Sequence, residues 1–402
     1  MDTMFQKAAL IALLLVIFPA GTGAQTGNSK YIAKSMLIFP EQPEHVHGSS
    51  LALLPNGDVL AAWFQGSGER NADDVRIMGA RLKKNARQWS APFLMADTYN
   101  LPDCNPVLFL NRRNKLFLVW IAVNANRWEN AILRYRTSEN YNTDGPPVWN
   151  WQDNILLKPG DAFANEVETK LKQLPPTHHG WAAYAPQYDA MILQASKDPG
   201  KRSMGWMTRI APLILEDGTL LLPLYSDGFN FSLTAISKDD GSSWTPGLPI
   251  VGRGNIQPAF IQKKDGTLVA FMRDNGDAPA RVKISESADR GISWSPAMPT
   301  SIPNTASVAV SKLKDGKWAF VGNDIDDGRY RIRLYISADE GRSWKWSEPL
   351  EEVPKDQGSF SYPAVLTAPD GLLHISYSYK LSAGKGAAIK YVVVDPQKII
   401  AP

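Results

Sequence analysis

An eight-residue motif that returns at a fixed interval constrains this chain more than any other feature. Ser237–Trp244 reads S-K-D-D-G-S-S-W, Ser287–Trp294 reads S-A-D-R-G-I-S-W, and Ser337–Trp344 reads S-A-D-E-G-R-S-W. All three fit S-x-D-x-G-x-x-W, and their first serines, at 237, 287 and 337, stand 50 residues apart each time. Self-similarity at a period of roughly 20–50 residues marks a fold built from stacked or radial repeats. The residue types suit a tight turn. Serine and aspartate hydrogen-bond nearby backbone N–H groups. Glycine supplies a positive φ. Tryptophan packs the turn onto the body of its repeat. The three aspartates therefore read as structural.

A second signal extends the repeat to six units. A turn pair precedes an apolar strand at Asn56-Gly57, Asp217-Gly218, Asp265-Gly266, Asp315-Gly316 and Asp370-Gly371, with Asn114 alone in the equivalent place of unit two. Each is followed by a run such as Asp58–Phe64 or Thr219–Tyr225 that reads as a strand. Units one and two end in degenerate tryptophan turns, at Trp89 and at Asp144 to Trp149. Unit six has none, and the N-terminal strand Tyr31–Phe39 is expected to complete it and close a ring. Six units of about four short strands predict an all-β, six-bladed β-propeller, in which radial repetition leaves only short edges. A pair of β-sandwiches competes but explains the regular period poorly. The propeller is expected over residues 31–398, interrupted between blades two and three by an insertion at about 150–207. Within the insertion Phe163, Val167 and Leu171 recur at helical spacing, so Asp161–Leu174 is predicted helical, with Asp161 as cap and Pro175-Pro176 as stop. It is expected to pack on the rim or over the axis.

Composition narrows the class of partner. A formal net charge of +3 over 402 residues is too small to imply nucleic acid or an anionic membrane. A lone cysteine, Cys104, leaves no internal disulfide framework. Lys7, an apolar run from Ala8 to Ala20 and small residues up to Ala24 have the layout of a signal peptide over residues 1–24. The mature chain is then expected to be exported, periplasmic or extracellular, with no stable membrane association.

In a propeller the innermost strands start beside the axis, so residues ahead of each turn signal converge. These are His47, Asp103 with Asn105, Arg209, Gln257, Asn304 and Tyr362, and prolines follow closely at 106, 212, 258 and 363. The ring is polar, as a substrate pocket or as a wet channel whose groups satisfy one another. Further polar clusters were placed at the ends of the inner strands: Glu69, Arg70, Asp73 and Asp74 in unit one, Arg273, Asp274 and Asn275 in unit four, and Asn323 and Asp324, with Arg329 following, in unit five. Arginines gathered at a pocket favour a carboxylate or phosphate ligand. A buried acid beside them can serve as general acid. His45 and His47 share a strand face but lack a third metal ligand, and no cofactor is expected. Trp128, Trp181, Tyr184 and Trp206 are candidates for stacking on sugars, and His178-His179 reads as a solvated loop.

On these motifs the chain from its first strand onward resembles the sialidase superfamily, and more closely the bacterial predicted neuraminidases with BNR (Asp-box) repeats. The resemblance implies a six-bladed propeller that releases a terminal acidic sugar with retention. Such enzymes use three arginines on the sugar carboxylate, a tyrosine nucleophile paired with a glutamate, and an aspartate acid/base, an exception among glycosidases. By this resemblance Tyr362, in F-S-Y-P-A-V, is the nucleophile, and Asp74, with Asp73 as rival, is the acid/base. Arg273 and Arg329 match the second and third arginines. Two positions depart from the pattern. His47, in H-V-H-G-S-S, stands where the first arginine is expected, and Gln257, in G-N-I-Q-P-A, stands where the glutamate is expected. Arg209, in T-R-I-A-P, is placed to supply a guanidinium from unit three. Glu69, Asn105, Asn304 and Asp274 complete the expected substrate-binding set.

Three functions follow. One is a sialidase-like exo-glycosidase acting on a glycan with a terminal acidic sugar. The second is a lyase or other uronic-acid-active enzyme in which His47 or Tyr362 removes a proton. The third is a carbohydrate-binding propeller without catalysis. Fold alone does not choose among them.

Overall fold

The computed structural model describes residues 29–175, 187–276 and 279–401. Residues 1–24, where a signal peptide is expected, and His178-His179, Trp181 and Tyr184 lie outside them. Six antiparallel sheets form the ring, five of four strands and one, blade three, with its innermost strand split in two. The chain is a six-bladed β-propeller. Blade six is assembled from both ends of the chain. Gly358–Thr367, Leu373–Leu381 and Ala387–Val394 are completed on the outside by Ile32–Leu37, which pairs antiparallel with Ala387–Val394. The N-terminal strand thus closes the ring where the repeat pattern lacked a tryptophan turn.

In each blade the innermost strand lies before the turn signal. The strand after the turn, at whose end the polar clusters stand, is the second of its blade rather than the inner one. Second strands are sandwiched between neighbouring blades and are buried on both faces. That explains why they read as unbroken apolar runs, as in Leu116–Val123, rather than as alternating ones. Trp63, Trp120 and Trp318 are fully buried there.

The repeated motif forms the turn between the third and fourth strands. In blade three the Ser237 hydroxyl donates to Asp239 Oδ1 at 2.8 Å and accepts from the Gly241 N–H at 2.9 Å. A second serine, present in all three copies but outside the consensus above, closes the turn. Ser243 donates its N–H at 2.8 Å and its hydroxyl at 2.6 Å to the same carboxylate. The boxes at Asp289 and Asp339 repeat these bonds within 0.1 Å. Each box glycine follows another left-handed residue and rests on the preceding blade. A Cβ at Gly241 would stand 2.6 Å from the Phe117 ring of blade two, and one at Gly341 3.1 Å from the Phe271 ring of blade four. Trp294 of blade four donates its indole N–H to Thr234 Oγ1 of blade three at 3.0 Å. The boxes therefore join blades as well as strands.

The insertion carries a helix over Ala162–Leu171 whose buried face is Phe163, Val167 and Leu171, as the spacing predicts, and further helices at Tyr188–Ser196 and Pro199–Arg202. Asp161 does not cap. Its carboxylate instead accepts from Arg202 Nη2 at 2.7 Å. Phe163 packs against Trp206, Phe229 and Phe231, so Trp206 is a packing residue. Among the described residues no helix is long and apolar enough to cross a membrane.

The box aspartates give a prediction. Hydrogen bonds from the Ser343 hydroxyl and N–H, then from Ser337, hold the Asp339 carboxyl down to about 2. A depressed folded-state pKa stabilises the fold above the unfolded value and loses that contribution as pH falls toward the folded one. Asp339→Ala should destabilise by roughly 1–2 kcal/mol at neutral pH. The gap to the natural protein should narrow as pH drops from about 4 to about 2, the span between unfolded and folded values. Denaturant titrations at pH 7 and at acid pH check this.

Candidate active site

The site is built by a defect repeated in the inner strands. Pairing between the innermost and second strands slips between His47 and Ser50, Cys104 and Val107, Ile256 and Ala259, and Ser361 and Ala364. Each slip contains one left-handed residue: Gly48 (φ 62°), Asn105 (φ 51°), Gln257 (φ 54°) and Tyr362 (φ 59°). In the last three a proline follows, so the bulge leaves no N–H without a partner at that point. A left-handed conformation in a bulky residue such as Tyr362 is strained and persists only where surrounding structure enforces it. These bulges bring the Asn105, Gln257 and Tyr362 side chains together at the axis. Blade one uses glycine instead. A Cβ at Gly48 would lie 2.7 Å from the Phe64 ring.

The converged side chains form one hydrogen-bonded set. The Tyr362 phenol oxygen accepts from Gln257 Nε2 and from Arg273 Nη1, each at 3.1 Å. Gln257 Nε2 also reaches the Tyr225 oxygen at 3.4 Å, and Asn105 Nδ2 donates to that oxygen at 3.1 Å. The His47 ring lies 4.0 Å from the Tyr362 ring, centroid to centroid. The Arg329 guanidinium carbon stands 5.4 Å from the Tyr362 ring centroid, and that of Arg209 5.0 Å. Above this floor opens a cavity of about 650 Å³ lined by Tyr362, His47, Gln257, Asn105, Arg273, Arg329 and Glu69, all expected from the sequence.

The other expected residues lie elsewhere. Asp74 does not line the cavity, because its carboxylate is clasped by the Ser67 N–H at 3.1 Å and the Ser67 hydroxyl at 2.9 Å. Asp73 accepts from Asn126 Nδ2 at 3.0 Å. Arg209 is 1% exposed and sits beneath the floor, donating to the Ser49 carbonyl of blade one and the Pro363 carbonyl of blade six, both at 3.1 Å. Asn304 is fully buried and holds the Asp274 N–H and the Ala306 carbonyl. Asp274 pairs with Lys283 at 3.1 Å and accepts from the Gly276 and Arg281 N–H groups. Asp103 anchors the Trp120 indole. Trp128 lines the cavity, with Arg70 over its ring at 5.5 Å. His45 and His47 stand 5.8 Å apart, and no cluster of three metal-ligating side chains occurs among the described residues.

Among the lining residues not singled out from the sequence are Tyr225 and two charged ones, Asp227 and Lys380; the charged pair share a position. Both stand at or just past the end of a second strand, in blades three and six, the position from which Arg273 was chosen in blade four. Applying that rule to every blade finds them both.

Burial and the arginines set the protonation states. Burial, then Arg329, His45, Arg209 and Arg273, push the His47 imidazole well below its ordinary value. Burial raises the Glu69 carboxyl against the pull of Arg70, Arg329 and Arg273. It raises Asp227 to about 6, with Arg273 and Arg70 opposing. Burial lowers Arg209 to about 10. The cavity thus combines neutral histidine, weak acids and guanidiniums, a set suited to binding an anion and transferring a proton.

Comparison with known proteins agrees with this architecture. Residues 57–211 and 204–375 match the BNR repeat-like domain, and the chain belongs to that family. No curated protein matches the sequence. A protein of unknown function from Dyadobacter fermentans is similar in fold, with a TM-score of 0.65 at 15% identity, over 90% of this chain and 98% of that one. The intramolecular trans-sialidase from Ruminococcus gnavus, in complex with oseltamivir carboxylate, gives 0.63 at 14% identity over 90% and 96%. The NanB sialidase from Streptococcus pneumoniae gives 0.63 at 13% identity over 90% and 71%. The shared feature is the sialidase fold.

The His47 environment is testable. Its imidazole should stay neutral through pH of about 6.5, where an exposed histidine is half protonated. An NMR titration of the histidine ring protons, assigned with a His47→Asn variant, checks this. A midpoint at or above the exposed value would contradict the description of the site.

Proposed function

We propose that the protein is a glycoside hydrolase of sialidase type, acting on a terminal sugar that carries a carboxylate. The observation that carries this reading is the Tyr362 oxygen, held at 3.1 Å by both Arg273 and Gln257 on the floor of a cavity that Arg329 also faces. Among the described residues Arg273 makes no ion pair and its Nε has no hydrogen-bond partner, so its charge is unbalanced within the site. Arg273 and Arg329 hold the sugar carboxylate. This sets the anomeric carbon against Tyr362. A phenol suits this task because an anionic nucleophile would be repelled by the substrate's own carboxylate. As its oxygen attacks, the phenol proton leaves to water in the open cavity, and the Arg273 and Gln257 donors stabilise the negative charge that develops.

Asp227, and not Asp74, donates the proton to the leaving oxygen. Its carboxyl faces the cavity and is held near 6 by burial, close to the range a general acid needs. Glu69 hydrogen-bonds sugar hydroxyls. In the second step the Asp227 carboxylate takes a proton from water as that water displaces Tyr362, and the released phenolate recovers its proton from water in the cavity, so the sugar leaves with its configuration retained. A substrate outside the cytoplasm accords with the export expected from residues 1–24.

Elimination from a uronic acid is the second reading. Gln257 donates to Tyr362 where a base would accept, and the neutral His47 ring lies against the phenol. There the arginines neutralise the uronate carboxylate, His47 or Tyr362 removes the adjacent proton, and the product is unsaturated.

Release of sugar from a panel of fluorogenic α-sialosides and uronides distinguishes the readings. Tyr362→Phe should reduce turnover by at least about 10³-fold if the phenol is the nucleophile. Asp227→Asn should slow substrates with poor leaving groups about 10²-fold or more, and aryl glycosides much less. With Asp227 as the acid, turnover falls as pH rises through its raised value. A product that absorbs as an unsaturated uronide would replace hydrolysis by elimination. An Asp227→Asn defect independent of the leaving group would remove Asp227 as the acid.

A further inference from the structure

The cavity is not confined to the axis. From Tyr362 it runs outward over blade six, past Tyr379 and Lys380 at the end of the second strand, and is bounded on the blade-one side by Glu44 and His45. We propose that this outer arm is a subsite for the sugar next to the terminal one, and that it selects an acidic sugar there, with Lys380 as the carboxylate ligand. The inference rests on the reading of the axial pocket as the place of the terminal sugar.

Two observations carry it. Lys380 is exposed, lines the arm and makes no ion pair among the described residues, although acids lie near. Those acids are engaged by neutral donors. Glu44 accepts from Gln65 Nε2 at 2.7 Å, and Glu41 accepts from the Lys385 N–H at 2.7 Å. The buried lysine of the adjoining strand differs, since Lys390 is paired with Glu351. Lys380 is thus an available cation at the edge of a cavity whose floor already favours anions. Second, His45 Nε2 is buried in the same arm without a hydrogen-bond partner, and burial, then Lys380, lower its pKa. A neutral imidazole nitrogen beside an ammonium suits a sugar hydroxyl next to a carboxylate. A neutral aglycone would leave Lys380 without a counter-charge. A second acidic sugar supplies it.

The experiment compares binding of monomers and dimers of acidic sugars by calorimetry at low salt. The probes are sialic acid against α2,8-linked disialic acid, and galacturonic acid against digalacturonic acid. Each is titrated into the natural protein, Lys380→Met, Lys380→Arg and Arg273→Met, with folding checked by thermal denaturation. For at least one pair the dimer should bind the natural protein roughly 5- to 10-fold more tightly than its monomer, the scale of one partly exposed charge pair. Lys380→Met should abolish that advantage and leave monomer binding unchanged, while Lys380→Arg should keep it. A dimer advantage that survives Lys380→Met, or no advantage on either pair, overturns the subsite. Failure of the axial reading looks different. Dimer binding that responds to Lys380→Met but not to Arg273→Met, with no turnover, retains the subsite and removes the hydrolase. Loss of monomer and dimer binding together in Arg273→Met, with the dimer advantage of the natural protein lost in Lys380→Met, supports both.

Discussion

The left-handed bulge in the inner strands is the constraint on which the site depends. A regular strand running past the axis would alternate its side chains between the two neighbouring blades. The bulge breaks that alternation at one level of the ring and turns Asn105, Gln257 and Tyr362 toward a common point. Proline after each left-handed residue removes the N–H that the broken pairing would strand. Arg209 then ties two of the bulges together. It donates to the carbonyl of Ser49, which follows Gly48, and to that of Pro363, which follows Tyr362. A fully buried guanidinium with only carbonyl partners is costly, and its lowered pKa reflects that cost. Its position explains its retention. It plugs the axis below the cavity, holds the strained backbone that aims Tyr362, and leaves a positive charge behind that ring.

The same charge distribution organises the protonation states. Arg209, Arg273 and Arg329 surround one phenol. They join burial in keeping His47 neutral. Arg70 and Arg273 oppose burial at both Glu69 and Asp227, and Arg329 opposes it at Glu69. For both carboxyls burial prevails, so they remain weak acids despite the nearby guanidiniums. Had the arginines been paired with those carboxylates, as Arg281 is with Asp326 at 2.7 Å, the acids would be strong and the guanidiniums would be occupied. The site keeps the two kinds of charge close but unpaired, which is why the proposed reading gives it an anionic ligand.

Much of the fold was legible because it rests on local chemistry repeated at a fixed interval. The Asp-box turns, the turn glycines and the missing tryptophan of unit six were each readable without knowledge of the neighbours. The site was legible in part. Residues that open inner strands were found from position alone, and Tyr362, Gln257, His47 and Asn105 do converge. Which of two adjacent acids faces a cavity is decided by loop conformation. Asp74 is turned away by its clasp on Ser67, a contact across seven residues that no periodicity encodes. Asn304 and Asp274 occupy the right level of the ring, but they satisfy the backbone of the loops that shape it. Asp227 and Lys380 share with Arg273 a place at the end of a second strand, which the repeat encodes in every blade, but the outward course of the cavity that exposes them depends on neighbouring blades.

Gln257 is where the sialidase pattern and this protein part. A glutamate at that place would accept the phenol proton and leave Arg273 partly neutralised. The amide instead donates to the Tyr362 oxygen, and its own carbonyl oxygen is buried without a partner. Tyr362 therefore faces two donors, and its proton has no acceptor within hydrogen-bonding reach among the described side chains of the floor. On the proposed reading the phenol carries negative charge at the moment of reaction, and its proton leaves to water in the cavity. A carboxylate-bearing ligand seated on Arg273 and Arg329 would then balance the cations around that oxygen. On that reading substrate binding and activation of Tyr362 are coupled through the same arginines, and Arg273 serves both because Gln257, unlike a glutamate, leaves its charge unbalanced.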